Sequence, residues 1–145
     1  DWMTNIMHAL REYIKECPCL DEYHKGIGVD FLASEGEYYS IDSAPGAPIL
    51  KRYVDGSVKK QQVFIFSSRE AYSDDVRQNL ENIGFFEHFA DWLDKKTAMD
   101  EFPDLGPGKE PLKIEATTSG YAYQTDMKYA KYQIQCRLLY LQKGN

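Results

Sequence analysis

Apolar residues at Ile6, Met7, Leu10, Tyr13 and Ile14 recur at steps of three and four, with Asn5, Arg11, Glu12 and Lys15 on the other side. That is the stripe of an amphipathic helix, predicted from Thr4 to about Glu16. Thr4 suits the N-cap, and Cys17-Pro18 ends the helix because the residue before a proline avoids the α region. The period then changes. After a polar link from Asp21 to Gly26, Ile27 to Leu32 and Tyr38 to Ser43 read as strands, with a turn over Ser34 to Glu37. Ala44-Pro-Gly-Ala-Pro48 is a break. Ile49 to Val54 and Val58 to Phe66 flank Asp55-Gly56, the dipeptide that a type I′ hairpin turn prefers. Val63-Phe-Ile-Phe66 is apolar on both faces, as expected of a central strand covered on both sides.

A second helical stripe follows in Val76, Leu80, Ile83, Phe86, Phe89 and Leu93, broadened by Phe85 and Trp92. Ser73 is its predicted cap, and Asp74 and Asp75 place negative charge in the first turn. Gly84 is positioned to kink or split this helix. Phe102 to Pro111 is a loop that its prolines and glycines keep irregular. Leu112 to Asp126 and Tyr129 to Gln142 then form a long hairpin. In its second strand Tyr132, Ile134, Cys136, Leu138 and Tyr140 share one face. Gln133, Gln135 and Arg137 take the other, and Leu139 and Leu141 make the end of that face apolar, so a second surface is covered in part. The predicted fold is α+β: a mostly antiparallel β-sheet with an N-terminal helix and a long central helix packed on it, in the order α-β-β-β-β-α-β-β. Neither an internal repeat nor a long linker divides the chain, and residues 3–143 read as a single domain. Asp1-Trp2, ahead of Met3, reads as an addition or an alternative start.

With 145 residues, the chain can bury roughly 68–70% of its unfolded surface. Hydrophobic residues at 43% and aromatics at 14% exclude a disordered chain. The 11 tyrosines fit either a sheet with wet edges or an interface, since the ring is apolar and its tip polar. A formal charge of −6 disfavours a dedicated nucleic-acid-binding domain. It would equally suit a lumen past which DNA slides without sticking. No signal peptide is apparent, and no apolar run nears the ~20 residues that span a bilayer.

Chemistry is hard to find. Cys17-Pro18-Cys19 is a CxC, and His24 lies nearby, but no further ligand cluster completes a four-ligand metal site. Buried or idle thiols in a reducing cytosol are the expectation, with a redox pair or half a zinc site as the alternative. His8 rides on the first helix as a solvated or rim histidine, and His88 stands unpartnered on the second. Neither G-x-S-x-G nor H-E-x-x-H occurs, and Gly106-Pro-Gly108 lacks the GK[ST] of a phosphate loop. Asp74/Asp75 and Glu35/Glu37 are ordinary carboxylates of helix starts and turns. The expectation is a protein that is not an enzyme, with no catalytic, metal or cofactor residue; a site assembled from residues distant in sequence stays open.

The run Met3-Thr-Asn-Ile-Met-His-Ala-Leu-Arg-Glu-Tyr-Ile-Lys-Glu-Cys-Pro18 resembles the opening of minor capsid or tail-terminator proteins of siphophages and prophages of Gram-positive bacteria. The resemblance continues in Tyr53-Val-Asp-Gly-Ser57, in Ile114-Glu-Ala-Thr-Thr-Ser-Gly-Tyr-Ala-Tyr-Gln-Thr-Asp126 and in Ala130-Lys-Tyr-Gln-Ile-Gln-Cys-Arg-Leu138. It implies an antiparallel sheet flanked by helices and a structural virion protein without a cofactor. The implied role is a ring, a homohexamer, that caps the tail tube and joins the tail to the head connector. Its partners would be further copies of itself, the tail tube protein and a head-completion or connector protein, with no specific nucleic acid and no membrane. Assembly would take place in the bacterial cytoplasm and the end location would be the head-tail junction. The alternatives are a head-completion or minor capsid protein, an adaptor domain that forms no ring, and, last, a small enzyme. A closed ring needs one patch to meet a different patch on the next copy. Turns projecting from a rigid sheet are where contacts concentrate, so the expected interface is Asp55, Gly56, Asp104, Leu105, Gly106, Pro107, Gly108 and Lys109.

Overall fold

One strand organises the molecule. In a computed structural model describing residues 6–26, 39–69, 72–124 and 129–144, strand β7 (Tyr129–Gln142) pairs antiparallel with every strand that touches it. On one side it meets β3 (Val58–Ser68) from Val58↔Gln142 to Ser67↔Gln133, and then the short β4 (Tyr72–Ser73). On the other side lie β5 (Lys109–Ala116) and, after a break, β6 (Tyr121–Gln124). Strands β1 (Tyr39–Ser43) and β2 (Ile49–Arg52) pair with the two ends of β3 and complete a seven-stranded sheet. Tyr132, Ile134, Cys136, Leu138 and Tyr140 are all buried, as the alternation predicts, and Leu139 is buried on the opposite face.

The neighbours of β7 are interrupted where β7 itself runs on, and hydroxyl side chains repair both interruptions. Beside the β3–β4 break, the Tyr132 amide donates to Ser68 Oγ at 3.0 Å. Beside the β5–β6 break, the Gln135 amide donates to Thr118 Oγ1 at 3.1 Å, and the Thr117 amide and hydroxyl both donate to the Gln135 carbonyl. A buried amide left without an acceptor is costly, so these short polar side chains hold the register across each irregularity.

Among the described residues four helices cover one face: α1 (Ile6–Ile14), α2 (Leu20–Gly26), α3 (Asp74–Asn82) and α4 (Phe85–Ala98). Met7, Leu10, Ile14, Leu80, Phe85, Phe89 and Leu93 enter a common core with Phe64, Phe66 and the inner face of β7. Phe66 is its aromatic hub, with ring centroids 5.0 Å from Tyr39 and Phe89 and 5.5 Å from Tyr23 and Phe85. Helices also guard the sheet edges, which otherwise invite foreign strands. Arg11 Nε donates to the Ile41 carbonyl of β1 at 3.0 Å. The Thr97 hydroxyl donates to the Ile114 carbonyl at 2.8 Å and accepts the Ile114 amide at 3.0 Å, so α4 closes the free side of β5.

The α+β class and the mostly antiparallel sheet agree with the sequence reading, and several details differ. The link from Asp21 to Gly26 falls within α2, because Leu20 and a fully buried Tyr23 anchor it to the core and Asp21 and Glu22 sit in its first turn. The central helix is two helices, divided at Gly84 with φ +68°, a left-handed value that glycine adopts without strain. Ser73 stands at the N-cap of α3 in an extended conformation but makes no side-chain cap bond. The strand expected over Ile27 to Leu32, the turn over Ser34 to Glu37 and the Thr4 cap lie outside the described residues. Cys17 and Cys19 are joined as a disulfide instead of standing as idle thiols; the turn through Pro18 sets their Cα atoms 5.5 Å apart, within the span such a bond requires.

Candidate functional site

The turn between β2 and β3 is held by its own side chains. Asp55 Oδ1 accepts the Ser57 amide at 2.9 Å and the Ser57 hydroxyl at 2.5 Å, and these bonds hold the Asp55 carboxyl below the usual carboxylate range. The expected two-residue type I′ turn does not form. It needs positive φ at both central residues; Gly56 has it at +91°, whereas Asp55 does not. A five-residue connection, Tyr53 to Ser57, takes its place and carries the tip out to solvent. There Val54 is fully exposed, and Leu50 and Tyr53 are exposed at 41% and 39%. Lys51 Nζ lies 5.2 Å from the Tyr53 ring centroid. Large apolar side chains on a stiff, projecting turn are what a contact surface presents.

The loop from Phe102 to Pro111 is half anchor and half tip. Pro103 and Leu105 are buried, and Leu105 belongs to the core. Asp104, Gly106, Pro107 and Gly108 are exposed, with the Gly106 amide bonded to Asp104 Oδ1 at 3.0 Å, and Lys109 is partly exposed as the first residue of β5. Tyr13 ties the loop's start to α1 by donating to the Glu101 carbonyl at 2.7 Å. Burial first, then the nearby Glu101 and Glu16 charges, push that phenol well above its ordinary value.

The two turns singled out from the sequence therefore stand at one end of the sheet. Val58 and Lys109 both pair with Gln142. Beyond that row the Lys143 amide donates to the Gly108 carbonyl at 2.9 Å. Gly144 packs so closely on Gly56 that a Cβ there would lie 2.7 Å from the Gly56 carbonyl carbon. Residues 143 and 144 thus bridge the tips, beside a shallow groove of about 310 Å³ lined by Ile49, Arg52, Lys60 and Gln142.

A larger cleft of about 590 Å³ lies toward the other end, between the α3/α4 break and the β5/β6 break. Gly120 permits it: a Cβ there would meet the Phe86 ring at 2.3 Å, so only glycine lets the bulge approach α4. Phe86, Ala90 and Ala116 supply apolar lining, and Glu81, Glu87 and Asp91 supply carboxylates. Glu81 is 3.7 Å from Arg77. Past Gly120 a small pocket of about 70 Å³ reaches Tyr132, whose buried hydroxyl has no partner among the described residues. The sequence reading missed this cleft, which joins residues far apart in the chain; the Thr117-Thr-Ser-Gly120 run inside a supposed strand was its one visible signal.

Several ionisable groups with close partners or shifted pKa values lie outside both places. His88 is partnered after all: its Nδ1 lies 2.8 Å from Glu22 Oε2, and both side chains are about half exposed. Helix α2 packs on α3 and meets the start of α4, where the Tyr23 and Phe85 rings lie 5.0 Å apart. The hydrogen bond to Glu22 and its charge raise the His88 pKa. On the outer sheet face Glu115 meets Arg137 at 2.7 Å and Lys113 at 3.2 Å. Desolvation pushes its carboxyl up, but the bonds from Arg137 and Lys113 outweigh it and the net shift is downward. Burial pushes the Cys136 thiol far up, away from the thiolate that reactivity needs. His24 lies in α2, and its side chain is outside what is described. No three His, Cys, Asp or Glu residues gather at metal-binding distance among the described residues.

Compared with family models, curated proteins and solved structures, the chain matches none.

Proposed function

We propose that this protein works by assembly, as a structural protein of a phage or prophage tail, and in the first instance as the terminator that caps the tail tube and meets the head connector. The observation that carries the assembly reading is the basic, apolar-tipped hairpin end. Val54 stands fully exposed on a turn that Asp55 and Ser57 keep ordered, beside a second tip at Gly106 to Gly108. Ordered turns presenting apolar side chains suit a docking role, and a pre-shaped contact loses little conformational freedom on binding. The choice of a tail terminator within that class rests on the resemblance of the leading helix and of the strands after Ile114. Head completion is the neighbouring role in the same class.

Mixing gold-labelled protein with tail tubes of the corresponding phage, followed by electron microscopy, tests the reading directly. Label at one tube end, on tubes that no longer lengthen, is the expected result. Label absent from the ends would remove the terminator role and leave head completion or an adaptor.

A further inference from the structure

The hairpin and the cleft are chemical opposites. Lys51, Arg52, Lys59 and Lys60 surround the apolar residues Leu50, Tyr53 and Val54, with Asp55 as the hairpin's only acid, and that acid is bonded to Ser57. The cleft surrounds its apolar lining with Glu81, Glu87 and Asp91, and neither Lys nor Arg is among its described lining residues. In the separate small pocket past Gly120 the Tyr132 hydroxyl, with the residue only 2% exposed, is a buried group without a partner among the described residues. Such a group is costly unless something arrives to bond it.

We infer that the β2–β3 hairpin of one copy docks in the cleft between α4 and the Thr117–Gly120 bulge of a second copy. The inference rests on the assembly reading and specifies its self-contact. A hairpin cannot fill the cleft of its own copy. Its base pairs with Gln142 and the cleft reaches Ile134, and eight residues of strand separate those rows by roughly 27 Å. The tip points beyond Gln142, further away still. The contact must therefore join two different patches on two copies, the head-to-tail arrangement that closes into a ring or runs on as a filament. Val54 and Tyr53 would cover Phe86 and Ala90, while the flanking cations face the carboxylates. Complementary charge of this kind sets orientation and encounter rate, and apolar contact supplies the rest.

Weak subunit contacts are captured by crosslinking, and the native thiols do not interfere, because Cys17 and Cys19 are bonded to each other and Cys136 is buried. Val54→Cys protein is mixed with Ser119→Cys protein and treated with a short bismaleimide. A crosslinked heterodimer is expected in the mixture, with none from either variant alone or from Val54→Cys mixed with Lys95→Cys, whose thiol sits on α4 outside the cleft. Adding Lys51→Glu and Arg52→Glu to the hairpin copy should remove the product, and Glu87→Lys with Asp91→Lys on the cleft copy should restore it. No product from the mixture, or as much from the Lys95→Cys control, overturns the inference. The tube assay separates the two ideas. Capped tubes without the crosslink would sink this contact and leave the tail role standing, whereas the crosslink with uncapped tubes would do the reverse.

Discussion

Glu22 and His88 come from helices that the sequence keeps 66 residues apart, and their pairing makes a titration prediction. The folded His88 pKa lies above its ordinary value, so the contact stabilises the α2–α4 pair fully below the ordinary histidine value. That contribution is lost as the pH rises through the folded pKa. Glu22→Gln removes the carboxylate and should bring the His88 pKa down toward that of an exposed histidine, which an NMR titration of the ring protons reads directly; an unchanged pKa would rule the pair out. At Ser68 the issue is an amide. Its hydroxyl is the acceptor for the buried Tyr132 N–H, so Ser68→Ala should cost about 1–3 kcal/mol in denaturant unfolding. Ser40, on the partly exposed outer face, bonds only the Ser67 hydroxyl, and its alanine variant should change stability by about 0.5 kcal/mol or less.

Among the elements, the division of α3 from α4 depends on a single backbone conformation. Gly84 has φ +68° and a Cβ there would touch only the His88 ring, at 3.7 Å. Space is therefore not the obstacle to a larger residue; the left-handed backbone is. Gly84→Ala should cost about 1–2 kcal/mol in thermal or chemical unfolding, and Gly84→Asn less, because asparagine tolerates that region. This break was legible in the sequence, since a glycine interrupts an otherwise regular stripe of apolar residues. So was β7, whose strict alternation identifies both its faces. Its pairing with the strand before it was legible too, as the expected hairpin that β5 and β6 make with it, but its pairing with β3 was not. Alternation says which side chains face inward, but not that β3 and β5 would flank the same strand. Helix α2 was hidden because its seven residues hold few apolar positions, and its formation depends on Tyr23 reaching a core built by other elements. The loop expected at an interface read as irregular, with Leu105 among the contact residues, whereas Leu105 belongs to the interior. The cleft left almost no trace, because it exists only where a glycine in one strand meets a phenylalanine in one helix.

For the molecule as a whole, anchoring and display are separable within one loop. Leu105→Ala should destabilise the fold by about 2–5 kcal/mol, while Pro107→Ser at the exposed tip should cost about 1 kcal/mol or less. If the tip serves in tail joining, Pro107→Ser with Lys109→Ser should impair phage assembly in a complementation assay while the melting temperature stays nearly unchanged; Gly106, with φ +85°, is left in place. Removing residues 104–109 outright would confuse the two effects, since the core anchor leaves with the tip. The position of β7 in the sheet has a further consequence, in the order of events during synthesis. Each strand that β7 joins precedes it in sequence, so a ribosome completes β3, β4, β5 and β6 before the strand that unites them exists. Until then the edges of β3 and β5 are bare, and Val63-Phe-Ile-Phe66 has nothing beside it on one side. Long-range pairing of this kind folds slowly and leaves sticky intermediates. A fragment ending at Asp126 should therefore lack stable sheet structure by circular dichroism and should be found with chaperones or in aggregates. The protein becomes foldable only when β7 is made, and a stall in translation just short of that point would be more hazardous than one anywhere earlier.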